Sequence, residues 1–253
     1  MSREKFVSDE LSLAQFQDIL RLFQKSDRKL GEERNTIKVI TFQHQQYVLK
    51  SFKTPNYLNR LIYRYIRKSK ARRSFENARY LLEHQVGTPR PVAYFEAQGL
   101  TGLCRSYYLS EFVDYDFTFR EIINDDSVDD KPEILIQYTR FIYNMHESNI
   151  FFLDNSPGNT LIKKVEGGYD FYLVDLNRMK FYNIPLQDRI KNFERLAPSK
   201  WIFEIIGKEY ARLYGCDPQQ TVEQIWAHVK KFQDKFYRKR RIKHQWKNMI
   251  KSS

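Results

Sequence analysis

The sequence predicts an α+β fold in two lobes, a small β-rich N-terminal lobe with one main helix over residues 1–110 and a larger helical C-terminal lobe over 111–253. Three observations predict it. Runs of β-branched and aromatic residues crowd the first half, and apolar periodicity of the helical kind dominates beyond Tyr115. The connections between these runs are short enough to need no long structureless loop.

Taken in order, residues 8–25 place Leu11, Phe16, Ile19, Leu20 and Phe23 at near-helical spacing, either a short amphipathic helix or an irregular opening to the fold. Between Thr36 and Phe52, TIKVITF and YVLKSF read as two strands, a hairpin without strong turn residues. The segment from Tyr57 to Gln85 is helical in pattern, with Pro55 before it and Gly87 and Pro89 closing it; Arg73–Asn77 allow a break, so one helix or two consecutive helices fit. VAYFEA and LCRSYYLSEFV, around the turn Gly99–Gly102, suggest a further strand pair. Ile134, Leu135, Tyr138, Phe141, Ile142 and Met145 then mark the buried stripe of a helix over 133–146. Two strand-like runs flank Gly167–Gly168, and helical stretches around 187–196, 199–214 and 220–247 complete the chain.

A hydrophobic content of 42% is ordinary for a globular protein and argues against disorder. No run approaches a membrane span and the first residues lack a secretory apolar stretch, which favours the cytoplasm. Cys104 and Cys216 read as isolated thiols, His44, His84, His228 and His244 have no metal-ligand spacing, and Trp201, Trp226 and Trp246 read as packing or interface residues. The net charge of +12, from 43 Lys and Arg against 31 Asp and Glu, implies an anionic partner. It is concentrated in two runs: residues 59–73 carry seven basic residues and no acidic one, and residues 230–253 carry ten against Asp234 alone. A basic helix interleaved with apolar residues suits an anionic membrane surface or a phosphorylated substrate. Nucleic acid is not expected, because aromatics at helical spacing pack a core more often than they stack bases.

The chemistry resides in Asp154, Asn159 and Asp175. Asp154 and Asn159 lie five apart across a Pro-Gly turn, and Asp175 ends the apolar run YLVD. Such a loop can point one carboxylate at an incoming hydroxyl while an amide oxygen and a second carboxylate hold Mg2+ on nucleotide phosphates.

MHESNIFFLDNSPGNTLI resembles the catalytic loop of protein-kinase-fold enzymes, with His146 as the histidine that ends the preceding helix, Asp154 as the catalytic aspartate and Asn159 as the metal-binding asparagine. VDLN resembles the strand and turn of D-F-G, with Asp175 as the metal aspartate. Phe152 and Leu153 replace the His and Arg that precede the catalytic aspartate, and no A-P-E follows, which implies a constitutive kinase of a small molecule or glycan. His146 reads as an orienting or core residue.

Such an enzyme needs a cation on the phosphates and a carboxylate holding it. Lys50 in YVLK resembles the lysine of V-A-I-K, with Lys53 as the alternative, and Glu76 is the helix carboxylate, with Glu83 as the alternative. No glycine-rich loop precedes Lys50; Gly31 in LGEERN can start a tighter turn over the phosphates, with Arg34 adding charge. Backbone groups around Glu111 and Val113, in SEFVD, are placed to receive adenine.

The whole pattern is similar to the lipopolysaccharide kinase family of Kdo and heptose kinases, through VLKSFK at 48–53, SKARRSFENARYLLE at 69–83, TPRPVAYFE at 88–96, the DNSPGN loop, VDLNRMKF at 174–181 and NFERL at 192–196. The resemblance implies ATP- and Mg2+-dependent phosphoryl transfer to a sugar hydroxyl of an anionic glycolipid, at the cytoplasmic face of the inner membrane. Asp154 would act as base, Asn159 and Asp175 as metal ligands, and Lys50 as the phosphate grip. The alternatives are a kinase of another small molecule and a non-catalytic pseudokinase scaffold.

Overall fold

In the computed structural model of the chain, residues 3–30, 35–54, 67–100 and 102–251 are described, without the side chains of 243, 244 and 247–251. The chain forms two compact units, Met1–Asp114 with Tyr172–Met179, and Tyr115–Phe171 with Lys180–Ser253.

The first unit is a helix-sheet-helix sandwich. Its elements are β1 (Arg3–Ser8), α1 (Leu13–Lys25), β2 (Thr36–Phe42), β3 (Gln45–Ser51), α2 (Lys70–Glu83), β4 (Pro91–Gly99) and β5 (Gly102–Glu111). The strands form one antiparallel sheet in the order β1-β4-β5-β3-β2. Successive strand residues face opposite sides. Tyr47 and Leu49 therefore join Ile40, Phe95 and Leu109 in a core closed by Phe16 and Ile19 of α1. Phe52 and Tyr94 pack on the other face against Ala71 and Phe75 of α2.

The hairpin β2–β3 turns through Gln43 and His44 at φ of 48° and 65°. Positive φ at both central residues gives the twist a two-residue hairpin favours, even without glycine. Helix α2 begins at Lys70, where the Ser69 hydroxyl accepts from the Arg72 amide, and it runs unbroken through Arg73–Asn77. The expected helix over Tyr57–Gln85 is thus corrected at Arg67–Ser69, which are not helical, while 57–66 lie outside the described residues. Strand β1 was not expected: REKFVS lies at the sheet edge, three exposed residues followed by three half-buried ones, with no burial alternation.

The second unit is mainly helical. It contains β6 (Phe117–Thr118), α3 (Phe119–Asn124), α4 (Lys131–Glu147), β7 (Ile150–Phe152), a 3-10 turn (Pro157–Asn159), β8 (Thr160–Val165), β9 (Gly168–Leu173), β10 (Met179–Phe181), α5 (Leu186–Lys191), α6 (Lys200–Tyr214) and α7 (Pro218–Lys251). The residues at the end of β9 group with the first unit. Tyr138, Ile142 and Met145 of α4, Ile206 and Tyr210 of α6, and Ile225 and Val229 of α7 are fully buried. A Cβ at Gly207 of α6 would lie 2.7 Å from Val222 Cγ2 and 3.0 Å from Val222 Cα, so only glycine lets the α6 and α7 backbones approach this closely. Among the described residues no helix is long and apolar enough to cross a membrane.

Candidate active site

In the first unit, the segment after β9 is clamped by backbone and side-chain bonds. Leu173 N–H donates to the Gly87 carbonyl at 2.9 Å, and the Thr88 hydroxyl donates to the Leu173 carbonyl at 2.8 Å. From α2, Asn77 Nδ2 donates to the Leu176 carbonyl at 2.6 Å and Arg73 Nη1 to the Asn177 carbonyl at 2.5 Å. Between these anchors Asp175 adopts φ of 60°, a left-handed conformation costing a non-glycine residue on the order of 1–2 kcal/mol. Its Oδ1 lies 2.7 Å from Lys50 Nζ and accepts from Asn177 Nδ2 at 2.5 Å. Lys50 is only 8% exposed and lies over the Phe52 ring. Lys53 is exposed beyond the end of β3, so of the two expected lysines Lys50 is the one the sheet turns inward.

Glu76 requires a correction. Its carboxylate is bound by Lys68 Nζ at 2.8 Å and Arg72 Nε at 2.7 Å, and Lys50 pairs with Asp175 instead. Arg72 stands one helical turn before Glu76, where an ion pair forms at little conformational cost. Burial opposes the charged form of Glu76, yet the two cations still hold its pKa below the usual range. Glu83, the alternative, is exposed.

At the end of β5 the Glu111 amide donates to the Arg90 carbonyl and the Phe112 amide to the Gln46 carbonyl. Among the described residues no partner is found for the Val113 amide. The Glu111 side chain is occupied by Arg90 at 2.5 Å and Gln45 at 2.6 Å, and the Arg90 hydrogen bond lowers its pKa. Gly31 and Arg34 lie outside the described residues.

In the second unit, the Asp154 loop rests on a buried polar network. Asn155, 1% exposed, accepts from the Tyr138 hydroxyl at 2.7 Å and donates to the Asn192 carbonyl at 3.3 Å. Asn192 Nδ2 donates to the Phe152 carbonyl at 2.8 Å, which leaves its Oδ1 to accept from His146 Nε2 at 3.1 Å. His146 Nδ1 must then accept from the Tyr210 hydroxyl, 2.8 Å away. Burial pushes the His146 pKa down to about 3. The imidazole is therefore neutral, and it is fully buried, as the core alternative expected from sequence requires. Asn159 Nδ2 donates to the Asp154 carbonyl at 2.9 Å, which fixes the amide and leaves its Oδ1 as an oxygen donor suited to a hard cation.

Arg195 was not among the expected site residues. Its Nη1 donates to Asp154 Oδ1 at 2.6 Å and to the Leu153 carbonyl at 3.3 Å. The signals in the sequence are the lack of a basic residue before Asp154 and the run NFERL at 192–196, which contains Arg195; the cation arrives from 41 residues downstream.

The sheet lobe and helical unit match the kinase-like fold of a solved structure, "WaaP in complex with acyl carrier protein". That structure aligns with a TM-score of 0.62 over 92% of this chain and 99% of its own, at 15% identity. The model of the lipopolysaccharide kinase (Kdo/WaaP) family matches residues 21–216, a span that includes Lys50, Asp154, Asn159 and Asp175, and the chain belongs to that family. No curated protein matches the chain. The sequence gives no hint of the acyl carrier protein bound in the solved relative.

Proposed function

We propose that this lipopolysaccharide kinase family member transfers the γ-phosphoryl group of ATP to a hydroxyl of a Kdo or heptose residue in the lipopolysaccharide inner core. The observation that carries the reading is the Lys50–Asp175 pair, a nearly buried ammonium and a carboxylate 2.7 Å apart on a clamped, left-handed turn. Together they offer one cation for phosphate oxygens and one anion for a metal.

Asn159 and Asp175 present the hard oxygen donors that Mg2+ favours, and Lys50 suits the α/β-phosphates. Mg2+, when bound, neutralises charge on the transferred phosphoryl group. Asp154 orients the acceptor hydroxyl and takes its proton. Arg195 and the Asn155–Asn192–His146 network hold Asp154 in place, so little reorganisation is needed at the moment of transfer. Adenine is received at the backbone around Glu111 and Val113, and an Arg34 contact with the phosphates belongs to the same proposal. Asp175 makes the pairing with Lys50 first expected of Glu76. We place the reaction on the cytoplasmic membrane face, with the basic side of α7 toward anionic lipid.

The test is incubation of the purified protein with ATP, Mg2+ and a panel of Kdo- and heptose-containing acceptors, followed by mass spectrometry of the products. A single added phosphate on one sugar, absent without Mg2+, is the expected result. ATP binding with no product on any acceptor would favour a scaffold over a kinase.

A further inference from the structure

Beside the Asp154 loop, within the second unit, lies an open and mainly apolar groove of about 170 Å³. Pro157 of the loop, Arg195 and Pro198 after α5, and Phe232, Phe236 and Tyr237 of α7 line it. Arg195 links this groove to the proposed base: its guanidinium lies over the Phe232 ring, 5.6 Å from the centroid, while its Nη1 holds Asp154 Oδ1 at 2.6 Å. Phe236 and Tyr237 are 51% and 60% exposed and stand edge to face with centroids 5.6 Å apart. Core packing does not account for two adjacent aromatics left this open. Along the same helix, outside the groove lining itself, residues 230–241 of α7 carry seven basic side chains against Asp234 alone, all exposed.

These features discriminate between occupants. An acyl chain would use the aromatics and leave the basic side chains of α7 without purpose; a free phosphate would use the cations and leave the aromatics idle. A pyranose ring bearing a carboxylate or phosphate uses both, one apolar C–H face on an aromatic ring and its anion toward the exposed basic side chains of α7. Glu194, also on the wall, can accept from ring hydroxyls.

We propose that this groove is the acceptor subsite: it takes an acidic sugar ring packed into the corner between the Phe236 and Tyr237 rings, with Arg195 between the groove and Asp154. The fate of the sugar hydroxyl rests on the phosphoryl-transfer reading; the binding does not.

The experiment is isothermal titration of the full chain with a Kdo glycoside, a neutral glucoside of the same aglycone, and phosphatidylglycerol-containing vesicles free of sugar. The proteins are wild type, the surface variant F236A/Y237A, and R195K beside R195Q. Wild type should prefer the acidic glycoside, and F236A/Y237A should bind it about tenfold more weakly, the loss typical of a stacked aromatic. R195K should retain more of the affinity than R195Q, and binding to the sugar-free vesicles should change little in F236A/Y237A. The proposal is overturned if the double variant binds the glycoside as wild type does, if wild type shows no preference for the acidic sugar, or if vesicle binding alone is lost. Parallel transfer assays separate the two readings. Glycoside binding in the groove without phosphate transfer removes the kinase reading and leaves the subsite; transfer by F236A/Y237A with an unchanged acceptor KM removes the subsite and leaves the kinase.

Discussion

Lys50 and Asp175 satisfy each other's charge in a partly dry site, with side chains 10% and 27% exposed. Removing one partner strands the other, so K50M and D175N should each cost about 1–3 kcal/mol of stability in urea unfolding, and K50M/D175N should cost less than the two added together. Strict additivity of the two would mean that the ion pair contributes nothing. Lys50 and Asp175 were named from sequence through their resemblance to the lysine of V-A-I-K and the aspartate of D-F-G, with Lys53 left as the alternative to Lys50. The partner was not: Glu76 was expected to hold Lys50, but Arg72, four residues earlier on the same helix, takes its carboxylate. The pairing of Arg195 was hidden for a related reason: it stands in the run NFERL, but no periodicity relates it to Asp154 at 41 residues' separation.

His146 adds a pH dependence whose sign follows from its neutrality in the fold. Its pKa falls from an ordinary 6.5 to about 3 on burial, so between those values the unfolded chain binds a proton that the native protein excludes. Stability is full above pH 6.5 and declines as the solution is acidified, at a slope approaching about 1.4 kcal/mol per pH unit. Glu209, whose pKa is held down to about 2 first by its hydrogen bonds from Arg212, loses stability in the same direction, but only below its ordinary 4.5. H146Q should therefore flatten the dependence between pH 6.5 and 4.5 and leave the lower limb, as chemical denaturation across that range would report. An unchanged slope in H146Q would show that the imidazole is not held neutral.

At the scale of elements, α7 forms one wall of the proposed acceptor groove and is rooted where Gly207 meets Val222. G207A must push the two helices apart or strain them, and should lower stability by about 1–3 kcal/mol and raise the acceptor KM, read by thermal unfolding and steady-state kinetics. No change in either would mean that α6 and α7 can separate freely. The long helices were legible because their apolar stripes repeat over several turns, as in α4, α6 and α7. The short pieces were not. Strand β1 is mostly exposed at an edge, and α3 has only six residues, too few for a period to declare itself. The β2–β3 hairpin was legible from its flanking strands although Gln43 and His44 carry no glycine signal, but its turn is tighter than the sequence suggested: Gln45 and Gln46, expected in the connection, already belong to β3.

At the scale of the whole molecule, the expected single division near residue 110 gives way to two units between which the chain passes after Asp114, after Phe171 and again after Met179. Lys50 and Asp175 belong to one unit, Asp154 and Asn159 to the other. Sequence motifs gave the order of these residues along the chain, but the grouping of 172–179 with the sheet depends on bonds from Gly87, Thr88, Arg73 and Asn77 that no linear pattern encodes. The charge of +12 predicts electrostatic attraction to an anionic glycolipid. Because the screening length shortens from about 10 Å at 0.1 M salt to about 3 Å at 1 M, flotation with anionic vesicles should fail over that range while nucleotide affinity changes far less. Salt-insensitive flotation would remove the membrane proposal and leave the phosphoryl-transfer chemistry standing.

The most direct measurement compares wild type with D154N for Mg2+-dependent transfer of labelled γ-phosphate from ATP to a Kdo- or heptose-containing acceptor, with ATP affinity measured on the same samples. D154N should bind ATP as wild type does and transfer phosphate on the order of 10²–10⁴-fold more slowly, the loss expected when the proton acceptor is removed. Undiminished transfer by D154N, or no transfer by wild type under any acceptor, would contradict the assignment.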